Sequence, residues 1–353
     1  MAAGIDDVAR AAGVSTATVS RALRGLPNVN AATRDRVRLV AERLGYVASP
    51  SAASLASGRT RTIGLISPFI NRWFFSNVIE GAERALRAQG FDVLLYTFEI
   101  DRTSGRHYRV DPSVLRRRVD GILVVGLPLE EDEIRALQGL GYPIVCVGWG
   151  GYGIVTVRLD DKGTAKAATR HLLDLGHRRI GHISGAPDDV SPWSPPVDRA
   201  AGWREEMRAA GIEPGPELEV HGHFDTAGGR ESVHELLATA PDVTAVFASS
   251  DEMAMGAILG LRDLGLRVPE DVSVIGVDGH DMGELVGLTT MAQAADEQGA
   301  AAAGLVLDMI SGYATPKEVV YPTELVRRSS TGPPPPLAPG AGAQRSRTVR
   351  RAG

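Results

Sequence analysis

The chain has one cysteine, Cys146, so no disulfide can form within a single copy. That residue sits in YPIVCVGW, an apolar strand pattern with no charged neighbour to stabilise a thiolate, and reads as an inert buried thiol. No run of 18 or more apolar residues occurs, so no segment reads as a membrane span. The opening MAAGIDDVARAAG puts two aspartates where a signal peptide needs an apolar stretch, and a cytosolic protein is expected. There is no Walker A sequence, no Rossmann glycine fingerprint and no nucleophile–base pattern. His171, His177 and His182 are six and five residues apart, which is not a metal spacing, so structural roles are expected of them. The reading is therefore of a non-enzyme with neither metal nor cofactor.

What is present is an ordinary globular composition, 43% hydrophobic and 23% charged, over 353 residues, enough for two or three compact units. The formal net charge of -5 is unevenly spread. Residues 1–61 carry nine arginines against four acidic residues, a balance of +5 that leaves -10 for residues 62–353. A basic head on an acidic body suggests that the head alone meets a polyanion.

The stretch AAGVSTATVSRAL interrupts a helical pattern with a glycine. Ile5, Val8, Ala9 and Ala12 have helical spacing, and Gly13 can take a positive φ and end that helix in a sharp turn. Val14 plugs the core, and Ser15 is a natural N-cap for a second helix whose inward stripe is Val19, Ala22 and Leu23. A small residue, a glycine four later and a β-branched residue six after that make a helix-turn-helix pattern. Asn30 caps a third helix with Val37, Val40, Ala41 and Leu44 on its inner face. On the second helix Thr16, Ala17, Ser20 and Arg21 face away from Val19, at the end that enters a major groove. Hydroxyls suit phosphate oxygens, and Arg21 can fork onto guanine O6 and N7. Asn30 and Thr33, opening the third helix, are further candidates for DNA contact.

IDDVARAAGVSTATVSRALRG followed by VNAATRDRVRLVAERLGY resembles the head of the lactose repressor family of bacterial transcription regulators. The resemblance implies that Thr16, Ala17 and Arg21 read bases and that Ser15, Thr18 and Ser20 contact phosphates. It implies that residues 48–61 form a hinge helix on DNA, with Ser49–Pro50 at its start and Leu55 wedged into the minor groove. The family often has proline-asparagine and a later arginine here, where this chain has Ala48, Ser49 and Ala53.

From residue 62 the pattern alternates strand and helix, which means parallel sheets covered on both faces. RTIGLIS at 61–67 returns as RRIGHIS at 178–184, each followed by a loop, a helix and a strand, so two subdomains of similar plan are expected. Ligands bind at the carboxyl ends of such strands. TRHLLDLGHRRIGHISG, SSDEMAMGA and VPEDVSVIGVDG extend the resemblance through residue 331 and imply a periplasmic-binding-protein-like body. The expected fold class is a small all-α helix-turn-helix domain plus an α/β two-subdomain body with parallel sheets. The expected boundaries are 1–47 for the head, 48–61 for the hinge, 62–331 for the body with crossings near 160, 290 and 322, and 332–353 for a disordered tail.

Strand-end loops supply the candidates for the cleft: Trp73, Phe74, Phe75, Trp193, Arg199, Phe224, Ser250, Asp251 and Asp278. The resemblance assigns effector binding to Arg199 and Asp278; a guanidinium fork opposite a carboxylate suits vicinal hydroxyls, and aromatic faces suit a sugar ring. Phe75 reads equally as core, and Asp251 equally as a helix cap. The expected protein is a cytoplasmic, nucleoid-associated repressor that binds a near-palindromic double-stranded operator. A homodimer is expected, with a tetramer left open, and a small molecule, most simply a sugar, controls it. An activator, a corepressor-dependent regulator with a nucleobase effector, and a transporter's solute-binding protein are the alternatives.

Overall fold

The computed structural model describes residues 3–23, 25, 27–46, 59–97, 111–126, 129–185 and 195–336. They form two compact units, one of residues 1–62 with 114–120 and one of residues 63–113 with 121–353.

The first unit holds three helices: α1 (Ile5–Ala12), α2 (Thr16–Leu23) and α3 (Ala31–Arg43). Each boundary has a local cause. The Asp7 carboxylate accepts from the Gly4 N–H at 2.9 Å and opens α1. Gly13 closes it in the left-handed region, φ 66°, with the Val14 N–H returned to the Ala9 carbonyl at 3.1 Å. Ser15 Oγ accepts from the Thr18 N–H at 3.2 Å at the start of α2, and Asn30 Oδ1 accepts from the Thr33 N–H at 2.7 Å at the start of α3. Val8, Ala12, Val19, Ala22, Val37 and Val40 are buried together, and Val14 and Leu44 pack partly onto them.

The second unit contains two six-stranded sheets. The first runs β11–β5–β4–β3–β1–β2, from β1 (Thr62–Ser67), β2 (Asp92–Thr97), β3 (Gly121–Val125), β4 (Ile144–Val147), β5 (Val155–Leu159) and β11 (Glu318–Tyr321). The second runs β12–β10–β9–β8–β6–β7, from β6 (Ile180–Ser184), β7 (Glu219–His221), β8 (Ala245–Ala248), β9 (Ser273–Asp278), β10 (Thr289–Ala292) and β12 (Glu324–Val326). The central strands β3, β4, β6, β8 and β9 are buried along their whole length. Helices on both faces of a sheet leave its middle no solvated side. The chain passes between sheets at Asp160, at Gln293–Ala294 and at Pro322–Thr323.

The expectation of parallel sheets needs one amendment, because β12 lies antiparallel to β10. The chain leaves the second sheet through β10 and re-enters it through β12, so the two adjacent strands run in opposite senses.

Helices α4 (Trp73–Ala88), α5 (Glu131–Gln138), α6 (Asp161–Asp174), α7 (Pro195–Ala209), α8 (Thr226–Thr239), α9 (Asp251–Asp263) and α10 (Ala295–Ser311) cover the sheets. Close helix contact depends on glycine. A Cβ at Gly81 would lie 1.9 Å from the Asp296 carbonyl oxygen, and one at Gly299 2.0 Å from that of Val78, so these glycines let α4 and α10 touch.

The three histidines are structural. His177 Nε2 donates to the Gly332 carbonyl at 2.9 Å while Nδ1 accepts from Thr244 Oγ1 at 2.9 Å. His171 Nε2 is 3.0 Å from Thr331 Oγ1. His182 lies between Trp203 and Phe247, with ring centroids at 5.3 and 4.8 Å, and burial pushes its pKa down to about 3. The Cys146 thiol is buried and pushed up to about 12. The start of the expected disordered tail is docked instead: the Gly332 N–H donates to Ser273 Oγ at 3.0 Å. Residues 337–353 lie outside the described residues.

Candidate functional site

On the head, α2 presents Thr16, Ala17 and Arg21 to solvent, while Thr18 and Ser20 are half-buried. Thr16 and Ala17 occupy the first turn, where unpaired N–H groups and the helix dipole favour an anion. Arg21 follows one turn later on the exposed surface. Ser15 Oγ is 2.9 Å from Thr18 Oγ1, so these hydroxyls brace one another as well as the helix start. Asn30 is exposed and caps α3 on the Thr33 N–H. Leu55 lies outside the described residues.

In the body, glycines that follow the strands receive the candidate aromatic rings. Gly126 follows β3 and Gly148 follows β4, both with positive φ (57° and 79°). A Cβ at Gly126 would be 2.5 Å from the Phe75 ring and one at Gly148 3.2 Å from the Phe74 ring, so these glycines admit the two rings at the strand ends. Phe75 meets Phe69 and Phe74 edge to face, with centroids 5.3 and 5.4 Å apart. From the second subdomain Phe224, at φ 57°, lays its ring over Gly185, where a Cβ would come within 1.8 Å of it. Phe75 therefore packs at the edge of the first sheet's core, over the glycine that follows β3. Trp73 is half-buried at the start of α4, and Trp193 lies outside the described residues.

The polar groups are more committed than their residue types foretold. Arg199 donates through Nε to Asp161 Oδ1 at 2.8 Å and through Nη1 to the Ser249 carbonyl. Two of its donors are thus held by protein, and only the remainder can meet a ligand. Burial raises the Asp161 pKa, and the adjacent Arg199 charge opposes that rise. Asp278 ends β9 at φ 135°, a conformation that side chains rarely adopt and that is found at ligand clamps. Its Oδ1 accepts from Gln293 Nε2 at 2.7 Å, and Gln293 Oε1 accepts from Gln298 Nε2 at 2.9 Å. Burial foremost, and then the neighbouring Asp251 charge, push the Asp278 carboxyl up to about 8, with Arg199 pulling the other way.

One expectation is corrected. Asp251 is not the helix cap: Ser250 Oγ accepts from the Met253 N–H at 3.2 Å, so Ser250 caps α9. Asp251 Oδ2 instead accepts from the Gly279 and His280 N–H groups at 2.9 and 2.7 Å, holding the turn that carries Asp278. Both side chains are buried.

Asp161, Gln293 and Gln298 were not singled out by sequence. Asp161 begins a helix after a crossing and Gln293 immediately follows β10, so inspection of every strand end would have found these two. Gln298 lies within the first turn of α10 and carries no such signal. Among the described residues no group of three or more histidine, cysteine or acidic side chains could hold a metal ion, and no helix is long and apolar enough to cross a membrane.

Residues 4–49 match the family described as bacterial regulatory proteins, lacI family, and residues 169–331 match the periplasmic binding protein-like domain. The chain is 35% identical over 338 residues to the HTH-type transcriptional regulator CelR of Thermobifida fusca, covering 92% of this chain and 97% of that protein. The structure of a CelR–cellobiose complex superposes with a TM-score of 0.68 at 33% identity, covering 93% of this chain and 99% of that one. The Lac repressor dimer bound to operator and the anti-inducer ONPF shares the fold, with a TM-score of 0.83 at 24% identity over 94% of this chain and 100% of that one.

Proposed function

Because the chain belongs to the lacI family of bacterial regulatory proteins, we propose that it is a transcriptional repressor that binds operator DNA as a dimer and responds to a small sugar. One observation carries the reading. A head with Thr16, Ala17 and Arg21 exposed on α2 is joined in one chain to a body in which buried Arg199 and Asp278 feel one another's charge, and in which Phe74, Phe75 and Phe224 lie over glycines that follow strands.

On the head, Arg21 reads a guanine through its fork, Thr16 and Ala17 meet neighbouring base edges, and Ser15, Thr18 and Ser20 with Asn30 and Thr33 position the helix on phosphates. Residues 1–47 act as the reading domain, 48–61 as a hinge with Leu55 as its wedge, and 62–331 as the effector and dimerisation domain. Two copies related by a dyad place two α2 helices on successive major grooves, so the operator is near-palindromic. The protein works in the bacterial cytoplasm.

In the cleft, the ring of a sugar stacks on aromatic faces while the remaining donors of Arg199 and the Asp278 carboxyl meet its hydroxyls. Cellobiose is the first effector to try, since the CelR structure is a cellobiose complex. A ligand that prefers one angle between the subdomains biases the operator-binding state by its difference in affinity for the two.

The test is fluorescence anisotropy of an operator selected from a random duplex library, titrated with cellobiose and then with other mono- and disaccharides. Binding to a two-fold-symmetric sequence that one sugar weakens supports the reading. Binding to DNA unaffected by any sugar, but altered by a nucleobase, overturns the effector assignment. Failure to select any sequence overturns the regulator assignment.

A further inference from the structure

Two consecutive residues, Arg72 and Trp73, reach from the first subdomain onto the second. The Arg72 guanidinium lies 3.6 Å from Asp225 Oδ2 and 3.6 Å from Glu252 Oε2, and it donates to the Phe224 carbonyl. Its flat face covers the Phe69 ring of its own subdomain at 4.4 Å. The Trp73 N–H donates to Glu252 Oε1 at 3.2 Å, and the indole stacks on His280 at 5.8 Å and 28°. Phe224 and Asp225 precede α8, Glu252 lies in the first turn of α9, and His280 follows β9, so three separate elements of the second subdomain converge on this pair.

We propose that Arg72 and Trp73 form a clasp that fastens the cleft shut, and that Arg72 is the positioning residue that sets how often the cleft opens. The charge arrangement supports this. Asp225 and Glu252 both face one cation, and the Arg72 side chain is only 15% exposed. Removing the cation leaves two carboxylates at the closing surface with nothing between them, which favours separation. The contacts are also reversible. Both ion pairs sit at 3.6 Å on a partly exposed rim, a geometry that holds weakly one pair at a time and cooperates only when all close together. A clasp of this kind keeps the open state minor without abolishing it, so a ligand able to hold the closed state exchanges slowly.

The relation to effector binding rests on the sugar reading above, but the clasp itself does not, and the experiment keeps the two apart. Spin labels are placed at Glu80→Cys on α4 and Glu231→Cys on α8 of the full chain, both exposed positions, and labelled protein is diluted into unlabelled protein so that only distances within one copy are read. The native Cys146 is buried and does not compete for the label. Arg72→Met keeps the apolar stem and removes the charge. Glu252→Gln removes one counter-charge while keeping an acceptor for the Trp73 N–H. Asp225 is left alone because its Oδ1 also caps α8 on the Gly228 N–H.

Both variants are expected to lengthen and broaden the pulsed-electron-resonance distance distribution, Arg72→Met more than Glu252→Gln. Cellobiose, if it binds, is expected to dissociate about fivefold or more faster from Arg72→Met. A wild-type distribution in Arg72→Met, or in Glu252→Gln should the first variant fail to fold, overturns the clasp. A widened distribution with no response to any sugar in any variant leaves the clasp standing and overturns the sugar reading.

Discussion

Arg199 and Asp161 form a buried ion pair, Nε to Oδ1 at 2.8 Å, with 7% and 6% of their side chains exposed. The pair joins α7 to the first residue of α6, just after the chain crosses from one sheet to the other. It aims the guanidinium. With Nε on Asp161 and Nη1 on the Ser249 carbonyl, the fork has one orientation relative to Asp278.

Breaking one half of such a pair costs more than removing both. Asp161→Ala leaves Arg199 buried without its counter-charge and is expected to lower stability by about 3–5 kcal/mol. The double variant Asp161→Leu/Arg199→Met is expected to recover most of that in urea unfolding while losing the sugar response entirely. A double variant as unstable as Asp161→Ala would mean that the pair holds the fold through contacts other than charge.

Asp278 ties stability to pH. Its folded-state pKa, about 8, lies above the ordinary carboxylate value of 3.8. The folded protein therefore holds a proton that the unfolded chain has released, and stability is complete below about pH 4 and falls as pH rises toward 8. Asp278→Asn keeps an acceptor for Gln293 and cannot ionise. Its melting temperature is expected to overtake that of the wild type increasingly between pH 5 and pH 8 and to hold a constant lead above that range. Parallel melting curves across the range would show that the carboxyl is already charged in the fold.

Arg21 is solvent-exposed on α2. Arg21→Ala is expected to weaken binding to the selected operator by about 1–3 kcal/mol, the value of a bidentate guanine contact, and binding to random duplex far less. Equal losses on both duplexes, read by anisotropy at one salt concentration, would make it a phosphate contact.

Two glycines of α10 should respond oppositely to a side chain. Gly299 packs against the backbone of α4, where a Cβ would come 2.0 Å from the Val78 oxygen, so Gly299→Val is expected to cost more than the roughly 1–3 kcal/mol of ordinary overpacking. Gly304 is exposed, and a Cβ there would meet nothing within 4 Å. Gly304→Ala is expected to stabilise by about 0.4–1 kcal/mol through the unfolded chain. Denaturant midpoints of the two variants check both signs, and a destabilised Gly304→Ala would show that this surface is covered in the assembled protein.

The sequence alone determined what acts over a few residues. Gly13 ending α1, Ser15 capping α2 and Asn30 capping α3 are each settled by bonds that reach at most five positions, and the repeated strand–helix pattern in the body settled two sheets of one plan. Resemblance supplied Arg199 and Asp278 as candidates for effector contact. Only the tertiary structure decided how they are held. Arg199 meets an aspartate 38 residues away, Asp278 a glutamine 15 residues on, and Arg72 a carbonyl 152 residues distant. Its place after a strand end marks Asp161 as a candidate, but nothing local names its partner. Its partner is chosen by which strand ends the two sheets bring together, and a buried charge must then take whichever counter-charge that geometry leaves within reach.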